Sequence, residues 1–238
     1  MKAGILAAGL GERLRAGGIT IPKALVRVGG RTLLSHALLA VAEAGARQVV
    51  IAVNQRDADA VELALREEAP PPAVDLVRCT TASSFETFVV LSPHLRSESH
   101  ALVAMVDGIF EPGAAGRFGE AVHKLVGAST GDAPDGLIGV TDRRDDDRPL
   151  RVAFDAGARI LAIGPGAEES PWSTAGLYLL PQRAFELAEV TEGVAALRDL
   201  LARLVGFGLR LRAEPLGTVV DVDRPDDLAA AEHLTRDA

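Results

Sequence analysis

The chain has 238 residues, 48% of them hydrophobic, with a formal net charge of −8. That is ample apolar material for one large α/β unit, so a single domain over residues 1–238 is expected. The acidic balance argues against a nucleic-acid partner and requires any phosphate site to be a local basic patch on an acidic surface.

A lone cysteine, Cys79, precludes an intrachain disulfide or a cysteine-built metal site and suits a reducing compartment. No apolar run approaches the roughly 20 residues of a membrane span. The start lacks the features of a signal peptide, so a cytoplasmic chain with no membrane partner is expected.

Lys2 to Ala7 contains the apolar pair Ile5 and Leu6 and predicts a short buried strand opening a parallel sheet. The segment Leu6-Ala7-Ala8-Gly9-Leu10-Gly11-Glu12-Arg13 then removes side chains at Gly9 and Gly11. Without Cβ atoms such a loop brings successive backbone N–H groups close to an anion, although a plain tight turn uses the same glycines. Arg13 and, after a spacer, Pro22-Lys23 supply full positive charge nearby. The dinucleotide fingerprint wants a third glycine where Leu14 stands, and the P-loop wants Gly-Lys-Ser/Thr where Glu12-Arg13-Leu14 stands, so neither applies.

Further along, Thr32 to Ala44 predicts a helix capped by Thr32, Gln48 to Val53 a strand, Ala58 to Glu67 a helix and Val74 to Arg78 a strand. Ala69 to Ala73, rich in proline, predicts a loop between the last two. Ser83 or Ser84 can cap a helix over Phe85 to Leu91, and the hydroxyls of Thr81, Ser83 and Ser84 also suit a nucleotide's base or phosphate. The apolar run Ala101 to Val106 ends abruptly in Asp107. In an open α/β sheet the crevice lies beyond the carboxyl ends of the strands, where an aspartate either holds a divalent cation or caps the next turn.

Gly136 to Asp142 predicts a strand, and the charged run Arg143 to Arg148 a solvated loop or a flap over an acceptor. Near the end, Thr218 to Val222 reads as a strand and Pro225 as the start of a helix. Asp221 and Asp223 both sit at the strand's end, and only one of them is expected to face a given site. The five histidines have no metal-ligand spacing. Alternating strands and helices imply a layered α/β sheet.

The opening motif, of the form LAAGxGxR, spacer, PKxL, with Pro22-Lys23-Ala24-Leu25 and the glycine turn Val28 to Leu34, resembles the nucleotidyltransferases related to sugar-1-phosphate nucleotidylyltransferases. The resemblance implies a three-layer α/β/α sandwich with a mostly parallel mixed sheet, the nucleotide-diphospho-sugar transferase (GT-A-like) fold. It implies NMP transfer from a nucleoside triphosphate to a phosphorylated small-molecule acceptor, with release of pyrophosphate and dependence on Mg2+.

By the same resemblance, Arg13 and Lys23 are catalytic, and Leu6, Ala7, Ala8, Gly9, Gly11, Thr81, Ser83 and Ser84 bind the nucleotide. Asp107 and Asp221 hold the metal with Asp223 in reserve, and Thr174 and Gly176 line the acceptor pocket. Two departures stand out. Glu12 occupies a position where many members carry Ser or Thr, and the segment around Glu168-Glu169-Ser170-Pro171 lacks the lysine of many sugar-phosphate members. The acceptor is therefore open among sugar-1-phosphates, choline phosphate, inositol phosphate and other alcohol phosphates. The alternatives are a GT-A glycosyltransferase, which would want Asp-x-Asp where Asp107-Gly108-Ile109 stands, and a non-catalytic nucleotide-binding relative.

Overall fold

A computed structural model describes residues 1–68, 73–128, 133–142 and 149–236. In chain order it begins β1 (Lys2–Ala7), α1 (Glu12–Ala16), a 3-10 turn (Lys23–Leu25), β2 (Arg27–Val28), β3 (Arg31–Thr32), α2 (Leu33–Glu43), β4 (Gln48–Asn54), α3 (Ala58–Glu68), β5 (Ala73–Cys79) and α4 (Ser84–Leu95). It continues β6 (His100–Met105), β7 (Gly108–Phe110), α5 (Ala114–Val126), β8 (Gly136–Thr141), β9 (Val152–Phe154), β10 (Ile160–Ile163), β11 (Ser173–Pro181), α6 (Gln182–Val190), α7 (Leu197–Leu204), β12 (Leu211–Pro215), β13 (Val219–Asp221) and α8 (Asp227–Arg236).

Seven strands form one sheet in the order β12-β8-β11-β6-β1-β4-β5. β11 runs antiparallel to β6 and β8, and the other pairings are parallel. Alternation along each strand assigns its side chains to two apolar layers. Ile5, Val49, Ile51, Leu102 and Leu177 face α2, α3 and α5 through Leu38, Val61 and Phe118. Leu6, Val50, Val103 and Tyr178 face α4, α6 and α7 through Phe88, Phe185 and Leu200. The fold is a three-layer α/β/α sandwich with a mostly parallel mixed sheet. Phe88 and Phe185 stack with centroids 5.3 Å apart, tying α4 to α6, and burying each ring contributes about 1.5–3 kcal/mol.

Local chemistry explains where elements start. Thr32 caps α2 by accepting from the Ser35 N–H at 3.1 Å. Ser83 caps α4 by accepting from the Glu86 N–H at 3.2 Å, and Glu86 reaches back to the Ala82 N–H at 2.8 Å. α4 runs four residues past the expected Leu91 and through Pro93. One backbone bond is lost there, but Leu91 and Leu95 stay fully buried.

Ala73 opens β5 rather than ending the proline-rich loop, because its register partner Gln48 opens β4; residues 69–72 of that loop lie outside the described residues. Helix α8 starts at Asp227, two residues after the expected Pro225. The Asp227 carboxylate caps it by accepting from the N–H groups of Asp223 and Arg224, at 2.8 and 2.6 Å. Among the described residues no helix is long and apolar enough to cross a membrane.

Gly119 on α5 sets the approach to α2. A Cβ there would lie 2.5 Å from the Glu43 carbonyl oxygen and 3.0 Å from the Ala44 Cα, and backbone cannot yield as a flexible side chain can. Gly119→Ala is therefore expected to destabilise the chain by about 1–3 kcal/mol, the usual cost of overpacking. Urea denaturation would show it as a lower midpoint at unchanged slope.

Candidate functional site

β1 ends at the sheet's carboxyl edge, and residues 8–11 turn away from it into α1. Gly11 adopts φ +62°, the left-handed region that a side-chain-bearing residue enters at a cost, and a Cβ on it would press on Lys23 Cβ at 3.1 Å. The loop thereby packs over the lysine's stem. The backbone of Lys23 is fixed by the 3-10 turn after Pro22, in which the Leu25 N–H donates to the Pro22 carbonyl at 2.9 Å. Arg15 Nε donates to the Leu10 carbonyl at 2.9 Å, tying the loop from its other side.

The Lys23 ammonium donates to Asp107 Oδ2 at 2.6 Å and to Asp223 Oδ1 at 2.5 Å. Arg13 Nη1 donates to Asp223 Oδ2 at 3.1 Å. Lys23 has only 9% of its side chain exposed, Asp107 17% and Asp223 41%. Burial alone would lower the lysine pKa, but the charges and hydrogen bonds of Asp107 and Asp223 outweigh it and hold the ammonium above its ordinary range.

A small antiparallel ribbon brings the two aspartates together. β7 pairs with β13, with Asp221 opposite Gly108, and the Val222 N–H donates to the Asp107 carbonyl at 3.0 Å. Asp107 thus precedes one strand where Asp223 follows the other. The chain is not extended beyond Asp221, because the Asp223 N–H donates to the Asp221 carbonyl in a three-residue turn. Gly17 makes the docking possible. A Cβ there would collide with Pro225 Cγ, so only a bare backbone lets the turn carrying Asp223 lie against the end of α1 and reach Arg13.

These groups share a cavity of about 420 Å³, within the range for small-molecule sites. Leu6, Ala8, Gly9, Gly11, Thr81, Ser83 and Ser84 line it together with Arg13, Lys23, Asp107 and Asp223. Other expected residues lie elsewhere. Ala7 points into the core on the opposite face of β1, 6% exposed. Asp221 is held in the β7–β13 ladder and is not among the lining residues. Thr174 is buried in β11, its N–H donating to the Leu150 carbonyl at 2.9 Å. Gly176 lies behind Met105, whose Cβ would be 3.4 Å from a Cβ at that glycine. The charged run 143–148 lies outside the described residues.

Leu10, Glu12, Ala82, Thr87, Met105 and Val106 also line the cavity. Thr87 was detectable as a hydroxyl one helical turn after Ser83. Its Oγ1 lies 2.7 Å from Thr81 Oγ1 and donates to the Ser83 carbonyl at 3.0 Å, so the 81–83 loop is internally braced. Ser84 Oγ accepts from the Leu197 N–H at 3.0 Å and so also starts α7.

The charge balance differs from the expected basic patch. Among the described lining residues two cations, Arg13 and Lys23, face three carboxylates, Glu12, Asp107 and Asp223. Paired cations do not by themselves draw in a polyanion, so a phosphate-rich ligand needs a further cation here. The carboxylates suit one. Two of them converge within hydrogen-bond distance of a single ammonium, and hard carboxylate oxygens at one point are the donor set of a divalent cation shared with phosphates.

A family model for the MobA-like NTP transferase domain matches residues 3–205. The chain is 45% identical over 62 residues to a mannose-1-phosphate guanyltransferase of Saccharomyces cerevisiae, covering 26% of this chain and 17% of that protein. It is 41% identical over 76 residues to the catalytic subunit beta of a mannose-1-phosphate guanylyltransferase of Drosophila melanogaster, covering 32% and 20%. The matched stretch therefore spans about a fifth or less of those relatives.

Among solved structures, the inositol-1-phosphate CTP transferase of T. maritima superposes with a TM-score of 0.79 at 21% identity, over 99% of this chain and 95% of that one. A Bacillus anthracis protein assigned as a glucose-1-phosphate thymidylyltransferase gives 0.82 at 19%, over 100% and 96%. The chain belongs to the MobA-like NTP transferase domain family.

Proposed function

We propose that the chain is a nucleotidyltransferase that moves an NMP unit from a nucleoside triphosphate onto a phosphorylated sugar or related alcohol phosphate. One observation carries the reading: a buried ammonium in the glycine-loop cavity, clamped by two carboxylates, Asp107 beyond β6 and Asp223 beyond β13. The relatives' names point to phosphorylated sugars and inositol as the acceptor class.

In the reaction a phosphate oxygen of the acceptor attacks the α-phosphorus in line. A new P–O bond forms, the bond to the β-phosphate oxygen breaks, and pyrophosphate leaves with its electron pair. The attacking phosphate needs no general base, since its second pKa is about 6. The chain supplies position and charge. The 81–84 loop and Leu6 bound the nucleoside end, the Gly9–Gly11 amides hold phosphate oxygens, and Lys23 and Arg13 neutralise the charge that builds on the leaving group. Asp107 and Asp223 would hold Mg2+, which would supply positive charge toward the phosphates and offset the excess of carboxylates among the described lining residues.

Gly9 gives a separable check. A Cβ at this residue would meet no protein atom within 4 Å, so its methyl would project into space that the reading assigns to phosphate. Gly9→Ala is expected to leave thermal stability unchanged while raising KM for the triphosphate roughly tenfold, a loss of about 1.4 kcal/mol. An unchanged KM would mean that the triphosphate lies elsewhere.

The direct test is pyrophosphate release with Mg2+, screening nucleoside and deoxythymidine triphosphates against sugar-1-phosphates, inositol phosphates and choline phosphate. A productive pair establishes the reading and names base and acceptor together. Release with no pair, alongside nucleotide-sugar hydrolysis or glycosyl transfer, would replace it with the glycosyltransferase alternative.

A further inference from the structure

We propose that Lys23 is a placeholder for the divalent cation: without ligand its ammonium fills the position between Asp107 and Asp223, and a metal takes that position only when Lys23 has moved out to phosphate. The inference rests on the reading above in assigning these two aspartates to the cation.

Three observations support it. The ammonium lies 2.6 Å from one carboxylate and 2.5 Å from the other, and a divalent cation on the same two groups needs oxygens at about 2.0–2.6 Å. One position cannot hold both. Second, the backbone of Lys23 is fixed by its 3-10 turn, but its four-carbon stem has free torsions, so the charge can swing without the fold changing. Third, among the described lining residues three carboxylates face two cations. Lys23 therefore has a lower-energy position on the aspartates when the cavity is empty, and a comparable one on phosphate oxygens once a metal has replaced it. Arg13, paired to Asp223, makes the same exchange from the rim.

The consequence is reciprocal coupling. Metal alone binds weakly because it must displace an ammonium into a cavity with no anion to receive it, and metal and triphosphate each tighten the other. Lys23 thus acts twice, neutralising phosphate in the loaded site and guarding the metal position in the empty one.

The test is a titration with Mn2+ alone, free ion counted by electron paramagnetic resonance, on the full chain without nucleotide. Lys23→Met is expected to bind Mn2+ roughly tenfold or more tighter than the wild type. Arg13→Met removes an equal charge without clearing the position, and its gain is expected to be much smaller. Adding Asp107→Asn to Lys23→Met should abolish the tight site.

An affinity in Lys23→Met equal to or weaker than the wild type, or no greater than in Arg13→Met, overturns the proposal. So does a gain that survives Asp107→Asn. Lys23→Gln, with a neutral side chain of similar length, gives the same reading if the Met variant does not fold. Because the titration holds no nucleotide, the absence of pyrophosphate release from the wild type would count against the nucleotidyltransferase reading and leave this result to be judged by itself.

Discussion

Pyrophosphate release by Lys23→Met is expected to fall by roughly 10²–10³-fold, the scale seen when one preorganised electrostatic donor is removed from a transition state. The size follows from the site's charge balance. Only Arg13 and Lys23 are cationic among the described lining residues, and Arg13 sits at the rim with 48% of its side chain exposed, where solvent screens it. Lys23, 9% exposed, acts from a drier environment, so its charge does more for the departing pyrophosphate. The loss should appear in kcat as well as KM, because charge on the leaving group grows toward the transition state. Lys23→Arg should rescue little, since a planar guanidinium fork is not the compact point charge that moves from the carboxylates to phosphate. Circular dichroism establishes that each variant is folded. A folded Lys23→Met with full turnover would remove the lysine from the chemistry, whatever its metal affinity.

The parts of the site that were legible in the sequence are those built by neighbours along the chain. Strand β1, the glycine loop and Lys23 span residues 2–23, and their placement beside one cavity follows from residue type and order: apolar run, missing side chains, proline-fixed cation. Asp107 was readable for the same reason, as a carboxylate closing an apolar strand. The caps Thr32 and Ser83 needed only local bonding rules.

The remainder depends on contacts between distant segments. Whether Asp221 or Asp223 enters the cavity is decided by a three-residue turn and by Gly17 admitting Pro225, and neither is a periodicity. Ser84 serves α7 through Leu197, 113 residues away. Thr174 and Gly176 sit on a strand whose register with β8 shifts between Thr174 and Tyr178, so alternation along the sequence did not show that Met105 stands in front of Gly176. Net charge gave the acidity of the whole chain. Only the assembled cavity revealed that carboxylates outnumber cations among its described lining residues.

That count makes the aspartates the sharper discriminators. Asp223→Asn is expected to cost roughly 10²-fold or more in pyrophosphate release and to move the Mg2+ titration midpoint upward, whereas Asp221→Asn should stay within about threefold of the wild type. Asparagine keeps the shape and one acceptor oxygen, so the change removes charge with little repacking. At position 223 that charge holds Lys23 and Arg13 without ligand and, once Lys23 has moved to phosphate, supplies with Asp107 the cation's second carboxylate. Position 221 is held in the ladder opposite Gly108 and is not among the lining residues. Asp107→Asn should match Asp223→Asn in both activity and Mg2+ midpoint, because each leaves a single carboxylate where the cation needs two. The reverse ranking, with Asp221→Asn inactive and Asp223→Asn silent, would assign the cation to Asp221 instead. The Lys23 clamp would then be a structural ion pair, and the two aspartates it joins would have no part in holding the metal.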